Sequence, residues 1–331
     1  MSRLASSLLL ALACNSGSTA PTPTSTQVQA PGPTTPASRP AAKPAPPTAP
    51  APAVPSRLPA PARLVAIGDV HGDLEATRAA LRLAGAIDEQ DRWIGKQLVV
   101  VQTGDQLDRG DGERQILDLL ERLQTEAVAA GGALHVLNGN HELMNAAGDL
   151  RYVTAGGFLD FAEVPGLDAA DPRGARVPPA MRGRLLAFAP GGPYARKLAS
   201  RPTLLVVGDS VFAHGGVLPA HARRLEAINE EVQQWLLGEG EISPDIVQGD
   251  DSPVWTRRFC EGPGPADCAV ADETLGILSA KRMVVGHTVH KEGIVSHCDG
   301  KVWCIDVGMA AYYGGHPEAL EIKGDTVTPL R

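Results

Sequence analysis

The tightest constraint on this chain is a join that occurs five times: a short apolar run meets a glycine, and beside that glycine stands a residue able to hold a metal ion. Residues 63–67 stop at Gly68-Asp69-Val70-His71-Gly72, and residues 97–103 stop at Gly104-Asp105. Residues 133–137 lead to Gly139-Asn140-His141-Glu142, residues 210–213 to His214-Gly215-Gly216, and residues 282–285 to Gly286-His287-Thr288. Short apolar runs bounded by glycine predict buried strands. Helical spacing fills the intervals. Leu74, Leu81 and Ala84 share one face of a helix over 74–83, stopped by Gly85, and Ile116, Leu117, Leu119, Leu120 and Leu123 line another over 113–130. Strand, turn and helix in alternation predict a layered α/β domain, in which strand ends bring distant side chains to one crevice. Further strands are predicted at 203–207, 302–306 and 319–323, with a helix at 221–237; residues 143–200, rich in Gly and Pro, read as a lid-like insertion.

The domain occupies residues 62–331. The first 61 residues hold 14 of the 28 prolines and no Asp or Glu, so they lack the means to bury a core. Arg3 followed by the apolar run 4–13 and Cys14 reads as a signal peptide, with Ala11-Leu12-Ala13-Cys14 resembling a bacterial lipobox in which Cys14 would be acylated. Residues 15–61 then form a Pro/Ala/Thr-rich tether. The expectation is an exported, periplasmic or outer-membrane lipoprotein, touching a membrane only through that anchor. Four basic residues precede position 62, leaving 26 basic against 38 acidic, or −12, in the domain. That balance excludes nucleic acid as the main partner. Cys260, Cys268, Cys298 and Cys304 read as two disulfides, as exported chains permit, and sequential pairing closes the shortest loops.

Asp69 and His71 are two residues apart at a turn, close enough to share one cation. Carboxylate, imidazole and amide oxygen together suit Mn, with Fe or Zn as alternatives. Asp69, His71, Asp105, Asn140, His214 and His287 are too many ligands for one ion that must also accept water and substrate. They suit two ions about 3.5–4 Å apart that share a carboxylate.

Through G-D-V-H-G, G-D-Q-L-D-R-G and G-N-H-E the sequence resembles the metallophosphoesterase (calcineurin-like) superfamily, in its phosphoprotein-phosphatase-like branch. The bacterial Shewanella-like protein phosphatases resemble it further, through residues 68–75 and Pro253-Val254-Trp255-Thr256-Arg257. The resemblance implies a sandwich of two mixed β-sheets flanked by helices, with the metal site at strand ends. It implies that Asp69 and His71 hold the first ion, Asp105 bridges, and Asn140, His214 and His287 hold the second. Val289 stands where the wider superfamily often has another histidine, which leaves His290 outside the ligand set. His141 would protonate the leaving oxygen, Asp108 would orient His141, and Arg109 and Arg257 would clamp phosphate oxygens.

The implied reaction is hydrolysis of a phosphomonoester by a hydroxide held between two ions, on phosphorylated Ser, Thr or Tyr of a protein or peptide, or on a small phosphomonoester. Hydrolysis of a dinucleoside polyphosphate is the rival enzymatic reading. A non-catalytic metal-binding envelope lipoprotein is the rival of another class, and the presence of His141 and Arg109 argues against it.

Overall fold

The structure, a computed structural model, describes residues 53–168 and 170–331. The signal segment, Cys14 and the tether as far as residue 52 lie outside the described residues. The described residues form one compact unit.

A five-stranded sheet contains three parallel strands, β2 (Leu64–Ile67), β3 (Val99–Gln102) and β4 (Ala133–Val136), with β4 at one edge. The antiparallel pair β10 (Ala319–Lys323) and β11 (Thr326–Leu330) extends it beside β2. A six-stranded sheet runs in the order β1 (Arg57–Leu58), β5 (Leu204–Val207), β6 (Ser210–Ala213), β7 (Arg282–Val285), β9 (Val302–Cys304) and β8 (Val295–His297). In this sheet β6, β7 and β9 are parallel. Both sheets are mixed, as expected.

Alternation along the six-stranded sheet divides the core in two, because successive side chains point to opposite faces. Leu205, Val207, Phe212 and Val284 join the five-stranded sheet, α1 (Leu74–Leu83) and α2 (Glu113–Ala129) in one cluster. Leu204, Val206, Val211, Ala213, Met283 and Val285 face the other way, into a second cluster. There they meet the helical layer of α3 (Asn140–Ala147), α4 (Ala155–Asp160), α5 (Pro179–Phe188), α6 (Pro193–Leu198), α7 (Pro219–Ala222), α8 (Leu225–Leu237), α9 (Pro244–Val247) and α10 (Pro265–Leu278).

The structure bears on three points of the sequence reading. The tether does not run to residue 61, because Val206 and Gly208 donate backbone hydrogen bonds to Ser56 and Leu58 and so seat β1 on the edge of β5. Backbone pairing there makes up for a segment with few apolar side chains. In the 143–200 insertion, read as lid-like, Phe161, Phe188 and Tyr194 are buried with ring centroids 4.8–5.3 Å apart, while Met144 and the turn around Tyr152 reach the crevice. The disulfides join Cys260 to Cys304 and Cys268 to Cys298, not sequential neighbours. In the β8–β9 hairpin His297 lies opposite Val302, with Cys304 two residues further along β9. At ~3.3 Å per residue this separation is too great for Cys298 to reach Cys304 in the disulfide range. Instead the helix bearing Cys268 packs alongside the hairpin.

Candidate metal centre

Six parallel strands end on the same crevice, and five of them carry the residues singled out in sequence. Asp69 follows β2, Asp105 follows β3 and Asn140 follows β4; His214 follows β6 and His287 follows β7. The sixth, β9, is followed by Asp306, which the sequence placed inside the strand. All six residues are buried.

The joins demand unusual backbone. His71, Asp105, Asp108, Arg109 and His287 all have φ between 38° and 68°, at roughly 1–2 kcal/mol each for L-residues. Such strain clusters where a site dictates direction. Two glycines make room: a Cβ on Gly139 would overlap Asp105 Oδ1, and one on Gly286 would overlap Asp69 Oδ1. Glu142 sets the Asp105 turn, accepting from the N–H groups of Gly139, Asp105, Gln106 and Leu107 at 2.7–3.1 Å. Sequence reading quoted Glu142 as part of a motif but missed this work.

Hydrogen bonds fix which imidazole nitrogens are free. His71 Nδ1 donates to Leu107 O and His214 Nδ1 to Thr103 O, each at 3.1 Å, so both Nε2 atoms present lone pairs. Those lone pairs face other acceptors. His71 Nε2 lies 3.5 Å from Asp105 Oδ2, while His214 Nε2 lies 3.2 Å from the same oxygen and 2.8 Å from Asn140 Oδ1. His287 Nε2, Asp69 Oδ1 and Asp306 Oδ2 are buried with no donor. A buried cluster of acceptors without donors is costly alone and fits cations. Donor atoms of His71, Asp105 and His141 lie within 4.8 Å of one another, as do those of Asp105, His214 and His287. Asp105 is common to both sets, as a bridging ligand would be.

Electrostatics agree. Burial holds His71 down at about 3 and His287 well below the ordinary histidine value, which keeps both neutral, the form that ligates. Burial, then the charges of Asp306 and Asp105, push Asp69 well above the usual carboxylate range. Burial also raises Asp306, to about 6. Cations among these carboxylates would offset that repulsion.

The groups expected to handle phosphate and protons surround the same space. His141 Nδ1 donates to Asp108 Oδ2 at 2.5 Å, while its Nε2 points inward, 3.8 Å from Asp105 Oδ2. Burial pulls His141 down, but Asp105 and Asp108 outweigh it and its pKa rises. Arg109 lies against three tyrosine rings, 4.4 Å from Tyr152, 5.0 Å from Tyr312 and 5.3 Å from Tyr313. These tyrosines carried no sequence signal. Arg257 donates to His287 O at 2.6 Å, which brings it to the rim, whereas Arg258 turns away to Asp267 at 2.7 Å. His290, read as outside the ligand set, lies beside His297 with the rings tilted by 54° and 6.3 Å between centroids.

A family model for calcineurin-like phosphoesterases matches residues 62–291. The Shewanella-like protein phosphatase 2 of Arabidopsis thaliana is 43% identical over 303 residues, covering 82% of this chain and 78% of that protein. Shewanella-like protein phosphatase 1 of Plasmodium berghei is 30% identical, covering 81% of this chain and 74% of that protein. Among solved structures, a cold-active protein tyrosine phosphatase superposes with a TM-score of 0.69 at 25% identity, covering 84% of this chain and 78% of that one. A Saccharomyces cerevisiae protein serine/threonine phosphatase shares the fold, with a TM-score of 0.54 at 13% identity over 84% of this chain and 83% of its own.

Proposed function

The chain belongs to the calcineurin-like phosphoesterase family, as a metal-dependent hydrolase of the phosphoprotein-phosphatase-like type, and on that premise we propose that it removes phosphate from phosphorylated proteins or peptides, with aryl esters such as phosphotyrosine preferred. Asp69, His71 and Asp105 would hold one divalent ion, and Asp105, Asn140, His214 and His287 the other. The supporting observation is Asp105 Oδ2, which faces the Nε2 atoms of His71 and His214 from between them. The N and O donors suit manganese first, then iron or zinc. Bound there, two such ions would lower the pKa of a shared water and offset charge on phosphate.

The chain's own residues do the rest. Arg109 and Arg257 grip phosphate oxygens, Arg109 with a guanidinium already oriented by its tyrosine walls. His141, oriented by Asp108, gives its Nε2 proton to the departing oxygen. Tyr152 and Tyr312 flank Arg109 and are partly exposed, 37% and 63%, so they offer stacking surface to an aromatic leaving group. The cold-active relative's description as a protein tyrosine phosphatase supports that preference. Two disulfides support export to an oxidising compartment.

The test is a panel of phosphotyrosine, phosphoserine and phosphothreonine peptides beside a dinucleoside polyphosphate, each with manganese. Phosphotyrosine peptide should be hydrolysed fastest, and Asp105→Asn should lower that rate by at least about 100-fold. Faster turnover of the dinucleotide would transfer the assignment to polyphosphate hydrolysis. Native activity in Asp105→Asn would overturn the centre itself.

A further inference from the structure

Arg184, on α5, is the bulkiest fully buried side chain of the described residues. Arginine is almost never buried so completely without partners. Its guanidinium lies 5.0 Å from the Phe161 ring and 5.2 Å from that of Phe188. Nε donates to Asn145 Oδ1 at 2.8 Å. One terminal nitrogen donates to Glu113 Oε2 and, at 3.0 Å, to Gly157 O. The other donates to Glu113 Oε1 at 2.8 Å and to Asp108 Oδ1 at 3.1 Å.

Arg184, Glu113 and Asn145 converge on Asp108. Glu113 Oε1 accepts the Asp108 backbone N–H, in a turn where Asp108 has φ 68°. Asn145 Nδ2 reaches Asp108 Oδ1 at 3.1 Å and Oδ2 at 3.2 Å, and also donates to His141 O at 2.9 Å. Asp108 is thus held at its backbone and at both carboxylate oxygens, and Oδ2 is the atom that meets His141 Nδ1. The hydrogen bonds of this set go to Asp108, to the His141 and Gly157 backbone and to one another, and none goes to Asp69, His71, Asp105, Asn140, His214 or His287.

We propose that Arg184, with Asn145 and Glu113, is a positioning device for His141. By fixing Asp108 it keeps His141 Nε2 aimed at the leaving oxygen, which makes the α3–α5 layer part of the reaction machinery. The inference rests on the phosphatase reading above. In the step it serves, a water oxygen forms the new P–O bond as the P–O bond to the alcohol breaks. The His141 Nε2 proton passes to the departing oxygen, and the proton lost by water restores the imidazole.

Two variants test this, since burial makes Arg184→Met a risk to folding: Arg184→Met, and Asn145→Ala, which removes the bonds of the Asn145 side chain to Arg184, Asp108 and His141 O. Each is compared with the native full chain on phenyl phosphate, whose leaving group needs a proton, and on p-nitrophenyl phosphate, whose leaving group departs without one. On phenyl phosphate kcat should fall about 100-fold for Arg184→Met and about 10-fold for Asn145→Ala, the scale of general acid catalysis and its support. On p-nitrophenyl phosphate the loss should be smaller by about 10-fold, with KM and bound-metal content little moved. Equal losses on the two substrates, or no loss on phenyl phosphate in a folded variant, would overturn the proposal. A native chain inactive on both would remove the phosphatase reading, and the proposal with it.

Discussion

The crevice at the strand ends and the helical layer behind His141 place their functional side chains by opposite means. At the strand ends backbone geometry does most of the placing, with the Glu142 carboxylate pinning the Asp105 turn: φ is positive at His71, Asp105 and His287, and Gly139 and Gly286 leave no room for another atom. Behind His141 side chains do it, through Arg184, Glu113 and Asn145 gathered on Asp108. One region is broken by adding an atom, the other by removing a charge or a bridge. Tight backbone suits ions, whose ligands need fixed distances. A side-chain network suits an imidazole, which needs a fixed direction and a partner for its charge.

Gly139→Ala should break the contrast most sharply. Its Cβ would collide with Asp105, so hydrolysis of p-nitrophenyl phosphate should fall about 100-fold together with metal content; an active, metal-replete variant would show that the backbone is looser than claimed. Asp306→Asn comes next. It keeps an acceptor for Gly308 N–H but removes a charge beside Asp69, and metal titration should show affinity lower by about 10-fold. Tyr312→Ala should sharpen the picture of the rim, lowering the preference for phenyl over alkyl phosphate by about 3-fold in competition assays. Gly276→Ala lies far down the scale, because on α10 its Cβ meets nothing within 4 Å. Activity should hold while thermal unfolding reports a gain of about 0.5–1 kcal/mol.

The same contrast explains which parts could be read from sequence. Backbone-placed residues leave a local mark, a glycine beside a residue able to hold a metal at the end of an apolar run, so Asp69, His71, Asp105, Asn140, His214 and His287 stood out. Asp306 carries a fainter version, with Gly308 two residues on at φ 60°, and was readable in principle. Side-chain networks leave no such mark. Arg184 sits in Met181-Arg182-Gly183-Arg184, where nothing separates the buried arginine from exposed Arg182. Helix α5 is buried along one continuous stretch, residues 183–188, so no amphipathic period announced it. Strands β8 and β11 were missed because their side chains are largely polar or half exposed, and α10 because its buried residues, Ala271, Thr274, Leu275 and Leu278, begin only midway along it. The disulfide pairing was invisible because it depends on where α10 docks.

The central claim, that Asp105 joins two ions in one centre, is tested most directly by counting metal per chain with native mass spectrometry. The account predicts two ions on the native protein after incubation with manganese, and at most one on Asp105→Asn, with hydrolysis lost in step. A native chain fully active with one ion, or an Asp105→Asn chain holding two at the native rate, would contradict it.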